Sequence, residues 1–258
     1  MEVHHHSHTA DPPDSYLDHR GRKKWTHYFW EFFMLFLAVT LGFFVENQRE
    51  HFVEHKRENQ YIQSFYEDLT ADEYDLQFNI NFLRRQMNEA DSLEKLMLHV
   101  TAKQPANKIY MYLRSITRSS AGLVFPNDRT IVQLRNAGGM RLIKNKNVSD
   151  SMVSYYRTAE IIQFITQEGL IHRRTLRQTY MPLLKAEDFF KVLDSTNTII
   201  DVPEILYLRK ADPEIINNCL MEIDRIKTLN LALAKRIDLL KEKAGHIKDF
   251  IRKEYHLK

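Results

Sequence analysis

Seventeen consecutive residues, Phe29 to Val45, read F-W-E-F-F-M-L-F-L-A-V-T-L-G-F-F-V and carry one charge, Glu31, near their start. A helix crossing a bilayer needs roughly 17 to 25 such residues, and Trp25, Tyr28 and Trp30 stand where interfacial rings belong. A cleaved leader would end in small residues. This run stays bulky and passes into Glu46-Asn47-Gln48-Arg49, so the sequence predicts an uncleaved signal anchor spanning about 29–45. Arg20, Arg22, Lys23 and Lys24 precede it, whereas mixed charges follow. That bias predicts a cytoplasmic N-terminus and, in a bacterial inner membrane, a periplasmic C-terminal domain. Glu31 lies one helical turn from His27, so we expect it to pair or snorkel there and not to mark an ion path.

The remainder predicts a mainly α chain. Glycine and proline number only 7 each in 258 residues, too few turn formers for a many-stranded sandwich or barrel. Lys plus Arg (37) nearly balance Asp plus Glu (34), which gives no sign of a nucleic-acid partner. Cys219 is the only cysteine, which excludes an internal disulfide and any multi-cysteine metal site. Residues 1–24 hold His4, His5, His6, His8 and His19 with almost no apolar content, and are expected to be a disordered cytoplasmic tail without a closed metal site.

After the anchor (25–46), residues 47–104 read as a long helical stalk. One heptad seam runs through Ile62, Leu69, Leu76, Leu83, Ala90 and Met97, and a second through Tyr66, Glu73, Ile80, Met87 and Glu94. Glu73 and Glu94 interrupt it, and Thr70-Ala71-Asp72-Glu73 leaves a helix break near residue 70 open. His51-Phe52-Val53-Glu54-His55 matches H-x-x-E-H, in which two histidines one turn apart hold zinc and the glutamate is the base. On a helix rich in Glu and Arg that match is cheap, and no third ligand is identifiable. A metal-dependent hydrolase using 51–55 is therefore the weakest alternative.

Residues 105–211 predict a helical middle module. Pro105 opens a helix through Ser119, and Phe125-Pro126-Asn127-Asp128 forms a turn and N-cap for a short helix with Ile131, Val132 and Leu134. Gly138-Gly139 fits the C-terminus of that helix. With Arg135, Arg141, Lys144 and Lys146 nearby, the exposed amides of that turn are also able to cradle an anion, although no phosphate-loop spacing is present.

The stretch T-I-V-Q-L-R-N-A-G-G-M-R-L-I from Thr130 to Ile143, followed by Asn145-Lys146-Asn147-Val148 and Tyr155-Tyr156, resembles the core signature of an uncharacterised family of single-pass membrane proteins common in Bacteroidota. The anchor followed by Glu46-Asn47-Gln48-Arg49-Glu50 is similar too, so the resemblance covers roughly residues 23 to 160. It implies a bacterial inner-membrane protein with a helical extramembrane domain. It brings no catalytic or binding residues.

Asp150 to Leu184 predicts a further helix with Met152, Val153, Tyr156, Ile161, Ile162, Ile165, Leu170, Ile171 and Leu176 as core and Gly169 as a weak point. His172-Arg173-Arg174 with Arg177 reads as a solvated basic face. Thr196 to Val202 is the best strand candidate, but one strand makes no sheet, so an extended linker is expected.

Asp212-Pro213 starts the last segment, 212–258, as N-cap and first helical residue. Ile216, Ile223, Asn230, Ile237, Ala244 and Ile251 form one seam, and Cys219, Ile226, Leu233, Leu240 and Ile247 the other. A lone asparagine in such a coiled-coil-like seam fixes register, because its amide must find a partner. Residues 46–75 carry a net −6 and residues 225–258 a net +6. Opposite fields favour an antiparallel return of the last helix along the stalk, with self-association as the alternative.

The expected architecture is one transmembrane helix running into a long helical stalk or hairpin that carries a small helical module. The expected function is a non-catalytic, membrane-anchored interaction protein acting through a protein partner or a homo-oligomer. A sensory or ligand-binding extracytoplasmic domain is the alternative. We assign no catalytic, metal or cofactor-binding residue, no cofactor and no small-molecule ligand.

Overall fold

The computed structural model of the protein describes residues 25–118, 124–136 and 138–257. The histidine-rich tail and Ser119 lie outside them. The chain divides into two units, Met1–Val53 and Glu54–Lys258.

Helix α1, Trp25–Met97, supplies the described part of the first unit. It is long and apolar enough to cross a membrane, and its most apolar stretch has no buried residue. Phe29 and Phe33 stack at 6.2 Å, Trp30 meets Phe33 edge-on at 5.9 Å, and Glu31 lies 3.0 Å from His27.

The second unit contains the remainder of α1, α2 (Asn107–Ile116), α3 (Arg129–Asn136), α4 (Lys146–Tyr180), α5 (Ala186–Lys191) and α6 (Pro213–Tyr255). The chain is mainly α, and among the described residues there is no strand. Leu193–Ile199 and Pro105–Tyr207 are isolated bridges, so the 196–202 segment is an extended connection. Asn145 caps α4, its side chain accepting from the amides of Asn147 and Val148 at 3.0 and 3.3 Å. Asp212 does the same for α6, accepting from Glu214 and Ile215 at 3.1 and 3.3 Å, with Pro213 at the first position, where its missing N–H is not needed.

Helix α6 runs antiparallel to α1. Lys227 donates to Glu94 at 2.7 Å, Lys241 to Gln77 at 2.7 Å, Lys248 to Glu73 at 2.7 Å and Tyr255 to Glu58 at 2.8 Å, so numbers rise along one helix as they fall along the other. All eleven seam positions of α6 are buried, Asn230 among them. On α1 the first seam, Ile62 to Met97, is buried throughout, but the second is shifted. Phe65, Asp72, Gln86 and Leu93 are buried, whereas Tyr66, Glu73, Met87 and Glu94 are half-buried one position later. Besides facing α4 and α6, α1 turns Asp72 to the Asn127 amide and Gln86 to the Ser115 carbonyl, so its buried stripe widens toward the segments before α3 and at the end of α2. Helix α1 has no break at residue 70, where the Thr70 hydroxyl donates to the Tyr66 carbonyl at 2.8 Å. On α4, Met152, Tyr156, Ile162 and Leu176 are buried, but Val153, Ile161 and Ile171 face outward, a correction to the expected core.

Two hydrophobic clusters succeed one another along the bundle. One joins Ile62–Leu83 of α1, Val148–Ile162 of α4 and Leu233–Ile251 of α6. The other joins Ala90–Met97, most of α2, Leu176–Tyr180 and Ile216–Ile226. At their junction each long helix contributes one buried polar side chain: Gln86, Arg173 and Asn230.

Candidate functional site

The junction is a closed hydrogen-bond layer built around the C-terminus of α2. A helix ends with four carbonyls that have no partner of their own. Here Gln86 donates to the Ser115 carbonyl at 2.9 Å, Arg173 to that of Ile116, and Arg177 to that of Thr117. Arg173 also donates to the Asn230 side-chain oxygen at 2.7 Å, and the Asn230 amide reaches Gln86 at 3.5 Å. The guanidinium is 3% exposed and bonds carbonyl oxygens, so burial pulls its pKa down to about 10. The negative end of the α2 dipole is its electrostatic counterpart. This corrects the solvated reading of the 172–177 cluster. Only Arg174 and Arg177 are exposed there, and His172 lies 2.9 Å from Glu222, which also accepts from Arg225 at 2.6 Å.

A second buried cluster holds the loop before α3. Asp68 and Asp72, one turn apart on α1, are 3% and 2% exposed. Asp68 accepts from Arg129 at 2.9 Å and from the Thr130 amide at 3.2 Å and hydroxyl at 2.5 Å, capping α3 from outside. Asp72 accepts from the Asn127 amide and the Tyr155 hydroxyl, both at 2.7 Å. Burial outweighs those two bonds and pushes the Asp72 carboxyl up to about 6. Tyr156 closes the clamp by donating to the Asn127 carbonyl at 2.7 Å. These groups fasten backbone, which is a structural task.

An open concavity lies elsewhere, beside the turn Met181–Leu183 and α5. Its volume is about 820 Å³. Tyr180 and Leu184 form a buried floor, Phe189 a half-buried wall, and Met181 and Phe190 an exposed lip. Arg177, Lys185 and Arg209 line it against one acid, Glu187. The walls are tied by the protein's own bonds: the Lys185 amide donates to the Tyr110 hydroxyl at 2.9 Å, that hydroxyl donates to the Tyr207 carbonyl at 3.1 Å, and the Arg209 amide donates to the Leu183 carbonyl at 2.8 Å. The Arg114 guanidinium sits 4.4 Å over the Phe189 ring.

No family model matches the chain, and no curated protein or solved structure matches it.

The motifs singled out in the sequence have other employments. His55 Nδ1 lies 3.1 Å from the Asn59 amide nitrogen, Glu54 is 3.5 Å from Lys144, and no group of three or more metal-ligating side chains gathers among the described residues. Gly138, two residues past the end of α3, takes φ +61° and its amide donates to the Arg135 carbonyl at 3.3 Å, so the first glycine of the pair is the left-handed turning residue. The cavity had no sequence signal, since residues 177–190 and 209 meet only in three dimensions.

Proposed function

We propose that this protein is a non-catalytic, membrane-anchored helical interaction protein of the bacterial envelope, with its N-terminus in the cytoplasm and its bundle in the periplasm. One observation carries the reading: the Phe29–Val45 stretch of α1 is apolar and wholly exposed, which water does not tolerate and a bilayer requires. The Arg20–Lys24 cluster supports the orientation. The resemblance of residues 23 to 160 to single-pass Bacteroidota proteins agrees with it. Buried polar groups of the bundle are engaged in holding helix ends and loops, which favours a binding or scaffolding role over catalysis. A protein partner or a second copy is the expected occupant of its outer surface.

The test is topology. In a Cys219→Ser background, a membrane-impermeant maleimide should label Lys253→Cys in intact cells while Ser7→Cys reacts only after lysis. The reverse pattern would place the bundle among cytoplasmic partners and overturn the proposal.

A further inference from the structure

The cavity beside α5 combines an apolar body with charge that has no ion pair among the described residues. Its floor and walls, Tyr180, Leu184 and Phe189, are continuous with the second hydrophobic cluster. Its lip is made of large side chains left to solvent, Met181 at 63% and Phe190 at 68% exposure. Side chains of that size gain little from exposure and much from a covering ligand. The cations differ in their engagement. Arg177 is committed to the α2 carboxyl end through Thr117, whereas neither the Lys185 ammonium nor the Arg209 guanidinium makes an ion pair among the described residues. The backbone bonds that tie Lys185 and Arg209 to Tyr110 and Leu183 fix where both side chains start, so the charged edge is preformed.

These features select a ligand class. A nucleotide base needs donors and acceptors along its edge, and the walls here are aromatic and aliphatic. A polyanion needs a broad basic field, and this edge has Lys185 and Arg209, neither ion-paired among the described residues, beside one acid, Glu187. A long apolar body ending in one compact anion satisfies both parts of the site. We propose that this cavity binds a long-chain acyl carboxylate, its chain on Tyr180, Leu184 and Phe189 beneath Met181 and Phe190, and its carboxylate between Lys185 and Arg209. The inference is independent of the membrane orientation.

The experiment uses the full chain in phosphatidylcholine nanodiscs with a diazirine-bearing palmitate, and maps photoadducts by mass spectrometry. Adducts should concentrate within residues 180–190. Unlabelled palmitate should compete at least tenfold better than hexadecanol, which has the chain without the anion. The double variant Lys185→Gln with Arg209→Gln should lower adduct yield at least fivefold with helical content unchanged; both substitutions spare the backbone bonds. Adducts confined to residues 25–45 would mean partition into the bilayer and would overturn the proposal. Equal competition by hexadecanol would overturn it without any variant. Competition by phosphatidylglycerol discs matching that of free palmitate would reassign the site to bilayer lipid and overturn it as stated.

Discussion

Arg173 on α4 donates to the side-chain oxygen of Asn230 on α6 at 2.7 Å, and through that bond the register asparagine of the last helix is satisfied inside its own chain. An asparagine in an apolar seam has to find a partner, and in a self-associating coil it finds its own copy. Here Asn230 has Arg173 on one side and Gln86 on the other, so the layer specifies how α1, α4 and α6 line up along the bundle. Sliding α6 by one turn would bury the amide and the guanidinium against hydrocarbon, where each unpaired polar group costs about 1–3 kcal/mol.

The layer predicts strong non-additivity. Arg173→Ala leaves the Ile116 carbonyl and the Asn230 oxygen buried without a donor, and should destabilise the bundle by about 3 kcal/mol. Asn230→Leu takes away one of the two acceptors of the buried guanidinium, leaving it the Ile116 carbonyl, and should cost about 1–3 kcal/mol. Arg173→Ala combined with Asn230→Leu removes both ends of the Arg173–Asn230 bond and leaves only the Ile116 carbonyl without its donor, so it should cost clearly less than the sum. Urea unfolding followed by circular dichroism on the four proteins of the cycle measures the coupling, and simple additivity would show that the two residues do not act as a unit.

Asp72 gives the stability a definite pH sign. Burial raises its carboxyl from 3.8 to about 6, so between those values the folded protein holds a proton that the unfolded chain has released. Stability from this group is therefore fully present below about pH 4 and is lost as pH rises through 6. Asp72→Asn keeps an acceptor oxygen for the Asn127 amide and turns its own N–H toward the Tyr155 oxygen, which can accept as well as donate, while removing the titration. Relative to that variant, the wild type should lose about 2–3 kcal/mol between pH 4 and 7. A constant difference across that range would show that Asp72 stays ionised.

What the sequence made legible follows from how many neighbours each helix has. Helix α6 presents one face to the bundle along its length, and a heptad count found all eleven of its buried seam positions. Helix α1 packs on α4 and α6 and also holds the end of α2 and the loop before α3, so its buried stripe wandered off the second seam by one position at Phe65, Asp72, Gln86 and Leu93. Counting apolar residues cannot find Asp68, Asp72 or Arg173, because they are buried for the backbone groups they hold. Those groups lie in α2, the loop before α3 and the first turn of α3, roughly sixty residues away in the chain. The candidate cavity was illegible for the same reason: Lys185 and Arg209 are ordinary surface cations until the bonds of Tyr110 and Leu183 bring their segments together.

Two glycines should respond in opposite directions to the same substitution. Gly138 sits at φ +61° with open space around its missing Cβ, so Gly138→Ala meets no neighbour but forces an L-residue into the left-handed region, at about 1 kcal/mol. Gly169 lies within α4 with nothing within 4 Å of a built Cβ, so Gly169→Ala should add about 0.5–1 kcal/mol through helix propensity. Thermal unfolding of the two variants in parallel reads the signs directly, and a loss at Gly169 would mean that the helix uses its flexibility there.

The ion pairs between α1 and α6 should act on register more than on stability. Lys227 reaches Glu94 at 2.7 Å and Asp91 at 3.1 Å, so Glu94→Lys places two cations together at a half-buried contact. A single exposed pair is worth about 1 kcal/mol or less, and reversal should cost somewhat more than that through repulsion with Lys227. Glu94→Lys combined with Lys227→Glu restores an opposite pair at the same place but leaves Asp91 facing the new glutamate. Recovery should therefore be partial, and adding Asp91→Asn should raise it further, short of completion because Asp224, 4.0 Å from Lys227, also faces the new glutamate. Denaturation midpoints at low and high salt provide the check: the single reversal should be milder at 1 M salt, where the Debye length is about 3 Å. A penalty that salt leaves untouched would assign the effect to packing of the lysine stem against the seam.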